Sequence, residues 1–207
     1  MELYLLCSVK QVKKGFEKDK GFMEEQRNKA FYNKIDHSIR KYIIGEQPMI
    51  LVAPEKSISM YKDISKLLPN IIGAVKGNYA HSEKEKLASM VWPMMYDYYR
   101  QQFEKNIQQA KELAGNHRAV FGIEACWRAA SDGNAYQLLV EKDFHIPGFV
   151  VKNGRQLYLK PPPVPHISFP DAVHELMLLV RSKNGKIIFG ENDTLFNEGH
   201  IALITRY

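Results

Sequence analysis

The groups most able to do chemistry in this chain are its seven histidines: His37, His81, His117, His145, His166, His174 and His200. No two of them stand four apart, the spacing that puts two imidazoles on one helix face around a metal ion. Asp171 and His174 could meet one helical turn apart, but helix capping accounts for Asp171 more simply. His174 and Glu175 are adjacent and cannot face one another on a helix. The two cysteines, Cys7 and Cys126, have neither metal-ligand spacing nor the number a disulfide framework needs. Cys126 stands beside Trp127 on an apolar helix face and reads as packing, not as a nucleophile. There is no Gly-x-Ser-x-Gly elbow, and no glycine-rich phosphate loop follows a strand. Asp36, Asp63 and Asp97 are carboxylates of the kind that converge on Mg²⁺ in two-metal hydrolases, without a recognisable arrangement. The sequence therefore implies no catalytic residue, no metal and no cofactor, and leaves enzymatic activity unassigned.

The cations are more suggestive. Net charge is +6, with 19 Lys/Arg against 14 Asp/Glu over residues 1–112 and 10 against 9 over residues 113–207. The densest basic stretch, VKQVKKGFEKDK, carries Lys10, Lys13, Lys14, Lys18 and Lys20. Such a run can follow a nucleic-acid backbone, because Lys and Arg displace condensed counterions from phosphates. It also fits an ordinary solvated surface, since Glu17 and Asp19 interrupt it.

With 45% hydrophobic and 25% charged residues in 207, the chain has globular composition and length for one large domain or two small ones. No apolar run approaches the ~20 residues of a membrane helix. The opening MELYLLCSVK has no basic residue before its apolar stretch and no cleavage site, so a cytoplasmic protein without a membrane partner is expected. Leu3–Val9 reads as a short strand. Between Met23 and Ile44, the spacing of Phe31, Ile35, Ile39 and Tyr42 predicts an amphipathic helix. PMILVAP then suits a buried parallel strand, a short helix covers Ile58–Leu67, and NIIGAVKGN is strand-like. Ser82 to Glu85 matches a capping box for a long helix, which Pro93 should interrupt or kink. Within that helix, Trp92, Met94, Met95, Tyr96, Tyr98 and Tyr99 read as helical core, one of the Tyr98-Tyr99 pair excepted. Ala114–His117 is the expected boundary between domains over 1–114 and 117–207. Beyond it, Ala119–Ala130 reads as helix, AYQLLVEKD as strand, RQLYLK as hairpin-like and PPPVP as a stiff connector. A helix capped by Asp171 runs to Arg181, and the strands GKIIFGEN and GHIALITRY follow. Helices alternate with short apolar strands, so the fold class is α/β in two domains.

Several features of the second half carry a family resemblance. They are Phe121-Gly122, Glu124, a basic residue before Ala129, Gly133, the strand QLLV, the Gly185-led strand, and the Gly-x-Ile-Ala-x-x-x-Arg-Tyr ending at Gly199–Tyr207. Together they resemble the C-terminal domain of archaeal and eukaryotic class I peptide release factors, of Pelota-like rescue factors and of the bacterial proteins related to both. That resemblance implies a three-layer α/β/α sandwich like the kink-turn-binding ribosomal proteins. QRNKAFYNKIDHSIRKYI, PMILVAPEK and NIIGAVKGNYAHSEKEKL resemble, more loosely, part of the RNase H-like middle domain that precedes it.

The resemblance implies a bacterial release-factor-like protein that associates with the ribosome or RNA in translation termination or ribosome rescue, and it permits a translational GTPase as a further partner. The family's Gly-Gly-Gln loop precedes the long helix, and this sequence has no Gly-Gly pair. Glu24-Glu25-Gln26 sits near the right place without glycines, and Gly45-Glu46-Gln47 follows the helix. A peptidyl-tRNA or phosphodiester hydrolase, and a protein-interaction module docking on a translation factor, are the alternatives. In the related kink-turn binders an Asn-Glu pair and a lysine at one helix start grip RNA. The positions here are Glu124, Ala125 and Arg128, so only the basic member survives, and Arg128 joins the five lysines as a candidate RNA contact.

Overall fold

A computed structural model describes residues 19–79, 82–152 and 154–207; the strand expected over Leu3–Val9 lies outside them. The chain divides into two compact units, Met1–Tyr98 and Tyr99–Tyr207. Both are α/β.

In the first unit, helix α1 (Asp19–Ile39) leads through a turn to strand β1 (Met49–Ala53), helix α2 (Glu55–Ile64) and strand β2 (Ile71–Lys76). The two strands pair in parallel, as a helical crossover between them requires. Both are half-buried along their length, less enclosed than the sequence pattern predicts. The buried face of α1 runs through Tyr32, Asp36 and Ile39, while Phe31 is exposed and Tyr42 lies beyond the helix end. The expected apolar stripe is thus displaced by one residue at its start. A carboxylate occupies its middle because Ser65 Oγ (2.7 Å), Tyr61 Oη (3.2 Å) and Arg40 Nε (3.1 Å) all engage Asp36. Burial pushes the Tyr61 phenol up, and the neighbouring Asp36 charge acts in the same direction.

Helix α3 (Lys84–Ala114) runs as one element through Pro93, where an interruption was expected. The missing Pro93 N–H removes one intrahelical bond, and the remaining bonds carry the helix on. In the first unit its buried face is Leu87 and Val91, with Met94 packed against Gly73. Trp92 and Tyr96 lie on another face and are exposed, so the core reading of these two is corrected; of the Tyr98-Tyr99 pair, Tyr99 is the exposed member, as expected.

The second unit holds the C-terminal turns of α3, then β3 (Ala119–Phe121), α4 (Ile123–Ser131), β4 (Ala135–Glu141), β5 (Gly148–Val151), β6 (Leu157–Tyr158), β7 (His166–Phe169), α5 (Ala172–Ser182), β8 (Lys186–Gly190) and β9 (Ile201–Thr205). The main sheet has the order β3-β9-β4-β8, with β4 and β8 parallel and the other pairs antiparallel. Side chains alternate across it. Leu138, Val140, Ile201 and Leu203 pack with Cys126, Trp127, Leu176 and Val180 of α4 and α5. Leu139, Ala202 and Ile204 pack with Phe103, Ile107 and Ala110 of α3. Helices on both faces make a three-layer α/β/α sandwich, and β9, buried at all five positions, sits inside the sheet between β3 and β4.

Two local readings change. Ala119–Phe121, expected as the start of a helix, is a strand because it pairs with Ala202–Ile204 of β9; the helix starts only after Gly122. The hairpin-like RQLYLK contributes β6 to a second antiparallel sheet, β6-β5-β7, whose other strands flank it in sequence. Asp171 caps α5 as expected, its Oδ1 accepting from Val173 N (2.9 Å) and His174 N (3.3 Å).

Candidate functional site

Of the residues read as RNA contacts, Lys10, Lys13, Lys14 and Lys18 lie outside the described residues. Lys20 belongs to the first turn of α1. Arg128 is exposed on α4, one turn after exposed Glu124, so the two charges share a helix face. Ala125 lies between them, half-buried. Arg128 makes no ion pair among the described residues.

The β3–α4 junction and the segment before β9 build the ground around that face. Gly122 has φ 78° and Gly199 φ 76°, a region that favours glycine. A Cβ at Gly199 would meet the Gly122 Cα at 3.4 Å, an ordinary contact, so the left-handed backbone and not space is what calls for glycine there. Gly122 N donates to Ile201 O (3.0 Å) and Gly122 O accepts from Cys126 N (3.0 Å), joining strand, turn and helix. The result is a cavity of about 510 Å³ whose wall includes Glu124, Arg128, Phe144, Ile146, Leu159 and His200.

His200 is held from behind by a carboxylate that sequence reading missed. Glu141, at the end of β4, is 3% exposed. It accepts from His200 Nδ1 (2.7 Å) and from Leu195 N (2.5 Å). A charged group at the end of a buried strand was the only available signal, and its partner is 59 positions away, beyond any local motif. The remaining histidines do not gather. Among the described residues, no three His, Cys, Asp or Glu side chains are placed to hold a metal ion. Asp36 is engaged by Arg40, Tyr61 and Ser65, while Asp63 is exposed on α2.

Gly45-Glu46-Gln47 is a structural turn. The Gln47 Oε1 accepts from Ile44 N (2.9 Å), and Asn70 Nδ2 donates to the carbonyls of Gly45 and Gln47 (2.9 Å each). Its glutamine is spent on holding the loop before β1. No helix among the described residues is long and apolar enough to cross a membrane.

Solved structures share this architecture. Archaeal Pelota, from a ribosome-bound model that also contains ABCE1, is 15% identical over 86% of this chain and 49% of its own, with a TM-score of 0.60. Dom34 of S. cerevisiae, described as a translation termination-like factor that interacts with Hbs1, is 17% identical over 86% and 52%, with a TM-score of 0.52. The C-terminal domain of the peptide chain release factor of Methanosarcina mazei is 18% identical over 62% of this chain and 98% of its own, with a TM-score of 0.45. The chain spans about half the length of the Pelota and Dom34 chains. No curated protein matches it in sequence.

The fold is thus one shared with Pelota and Dom34. Residues 8–134, more than half the chain, match the family described as Bacterial archaeo-eukaryotic release factor family 3, and the chain belongs to that family.

Proposed function

We propose that this protein works on the ribosome in translation termination or ribosome rescue, as a binding factor and not through a Gly-Gly-Gln hydrolytic loop. The observation that carries this reading is membership of the release-factor family over residues 8–134. Two features support the binding emphasis: the sequence contains no Gly-Gly pair, and Gln47 of the one Gly-Glu-Gln stretch is occupied in a turn. Lys10, Lys13, Lys14, Lys18, Lys20 and Arg128 are the cations assigned to phosphate contact. A translational GTPase is the protein partner that the superfamily fold favours, and the bacterial cytoplasm is the expected setting. The test is co-sedimentation of the full chain with bacterial ribosomes over a salt series. Association that weakens as salt rises is expected, since phosphate contacts release counterions. Failure to associate even at low salt overturns the reading.

A further inference from the structure

The cavity beside α4 has the makings of a ligand pocket, and its polar wall is already prepared. A carboxylate only accepts hydrogen bonds, so the His200 Nδ1 that meets Glu141 carries the proton. The ring is then fixed on both sides. Phe144 stacks on it, with centroids 5.1 Å apart and planes at 25°, and Phe196 meets it edge-on at 5.3 Å and 86°. His200 itself stands at φ 66°, uncommon for a residue with a Cβ. A left-handed backbone, a buried acid and two aromatic rings hold one imidazole in one orientation, with Nε2 left for something else.

Arg128 supplies a second donor group to the same cavity, a planar guanidinium suited to an anion. The rest of the wall is apolar, with Phe121, Ile146 and Leu159 beside Phe144. An acid-accepting corner facing apolar walls fits an amphipathic ligand. We infer that this pocket binds a small aromatic or aliphatic molecule bearing one phosphate, its oxygens between the Arg128 guanidinium and the Nε2 of His200 and its body against Phe144, Ile146 and Leu159. Glu141 acts as the positioning residue, since its hydrogen bond to Nδ1 fixes the ring with Nε2 as the nitrogen left for the ligand. The inference goes beyond the ribosomal reading and stands if that reading fails.

The test uses the full chain and three probes: phenyl phosphate, inorganic phosphate and benzyl alcohol. Each is titrated while the backbone amides and the imidazole and guanidinium resonances are followed by NMR. Phenyl phosphate should give saturable shifts at His200 and Arg128 and bind at least tenfold tighter than either other probe. R128Q and H200Q should each weaken it at least tenfold while leaving the amide spectrum of the remaining sheet in place. E141Q should weaken it as well, with the His200 ring resonances changed before any ligand is added. The assignment is overturned if phenyl phosphate gives no saturable shifts, if inorganic phosphate binds equally well, or if well-folded R128Q and H200Q bind as the parent does.

Discussion

Asn134 and Arg206, 72 positions apart, are joined through both backbone and side chain. The Arg206 N–H donates to the Asn134 carbonyl (3.1 Å) and to its Oδ1 (2.9 Å). The same Oδ1 accepts from Tyr207 N (3.3 Å), and Asn134 Nδ2 donates to Tyr207 O (3.0 Å). Arg206 Nε meanwhile reaches Ala135 O (3.0 Å), and its guanidinium also reaches the Lys183 carbonyl. The Arg-Tyr ending thus stitches the residues after β9 to the α4–β4 turn and to the end of α5.

Asn134→Ala removes both functions of the side chain and should destabilise the second unit by about 1–2 kcal/mol, the range for hydrogen bonds of this kind. Asn134→Asp keeps the acceptor for Arg206 and Tyr207 and loses only the donor, so its loss should be smaller. Denaturant titrations of both variants check this; equal losses would mean that the Oδ1 bonds contribute nothing.

Glu141 makes a second, independent prediction. Glu141→Leu keeps the volume but leaves the Leu195 N–H without its acceptor in a site from which water is excluded. A buried unpaired donor costs about 1–3 kcal/mol. Amide exchange at Leu195 and in the turn before His200 should quicken well beyond any change in β4. Uniform quickening across the second unit would show that Glu141 supports the whole core and not this segment.

Sequence periodicity revealed what burial dictates. The alternation in IALIT reads as a strand apolar on both faces, and the packing of Ile201 and Leu203 on one side, Ala202 and Ile204 on the other, is its consequence. Asp171 was legible because a cap acts two or three residues away. Ala119–Phe121 was misread because its strand state comes from β9, over eighty residues on; locally, Ala-Val-Phe runs into a genuine helix. Asp36 hid inside a helical stripe because its partners Tyr61 and Ser65 lie on the following helix and its cap. The Glu141–His200 pair exists only through the antiparallel pairing of β4 with β9. The sites made by long-range pairing are the ones a linear pattern cannot carry.

Gly190 is a glycine for lack of space. Its backbone lies against the ring of Phe103, and an added Cβ would overlap the ring atoms. Gly190→Ala should cost about 1–3 kcal/mol, the usual penalty for overpacking. Combining it with Phe103→Leu, which withdraws the ring, should cost less than the sum of the two single changes. A double-mutant cycle by thermal or denaturant unfolding measures that coupling, and strict additivity would rule out the steric explanation.

Cys126 is fully buried, with its Sγ 3.7 Å from the Val120 carbonyl, and burial pushes its thiol well above the ordinary range. Only the thiolate attacks alkylating reagents. Labelling at Cys126, read by peptide mass, should therefore be negligible in native buffer near neutral pH and should rise along the same denaturant curve as loss of the second unit's structure. Fast labelling of the native protein would contradict the packing of α4 on the sheet.

Asp36 offers the sharpest test in the first unit, because its three partners lose different things. Asp36→Ala strands the Tyr61 hydroxyl and Ser65 Oγ and removes the anion facing Arg40, whose side chain is partly exposed and can turn to water. Ser65 Oγ also accepts from Leu67 N (3.0 Å), so the change reaches the turn after α2. Asp36→Asn keeps the oxygen that accepts from both Tyr61 and Ser65 but gives up the charge. If the carboxylate serves chiefly as a buried hydrogen-bond acceptor, Asp36→Asn should cost about 1 kcal/mol and Asp36→Ala about 2–3 kcal/mol. If the ion pair with Arg40 dominates, the two variants should cost the same, and Arg40→Gln should match them. The exposed position of Arg40 argues for the first outcome, since solvent screens ion pairs at the surface. The Tyr61 phenol adds a spectroscopic readout. Its titration should move down toward the ordinary tyrosine range in Asp36→Ala, because the Asp36 charge and hydrogen bond both raise it, and should remain above that range because burial is the larger cause.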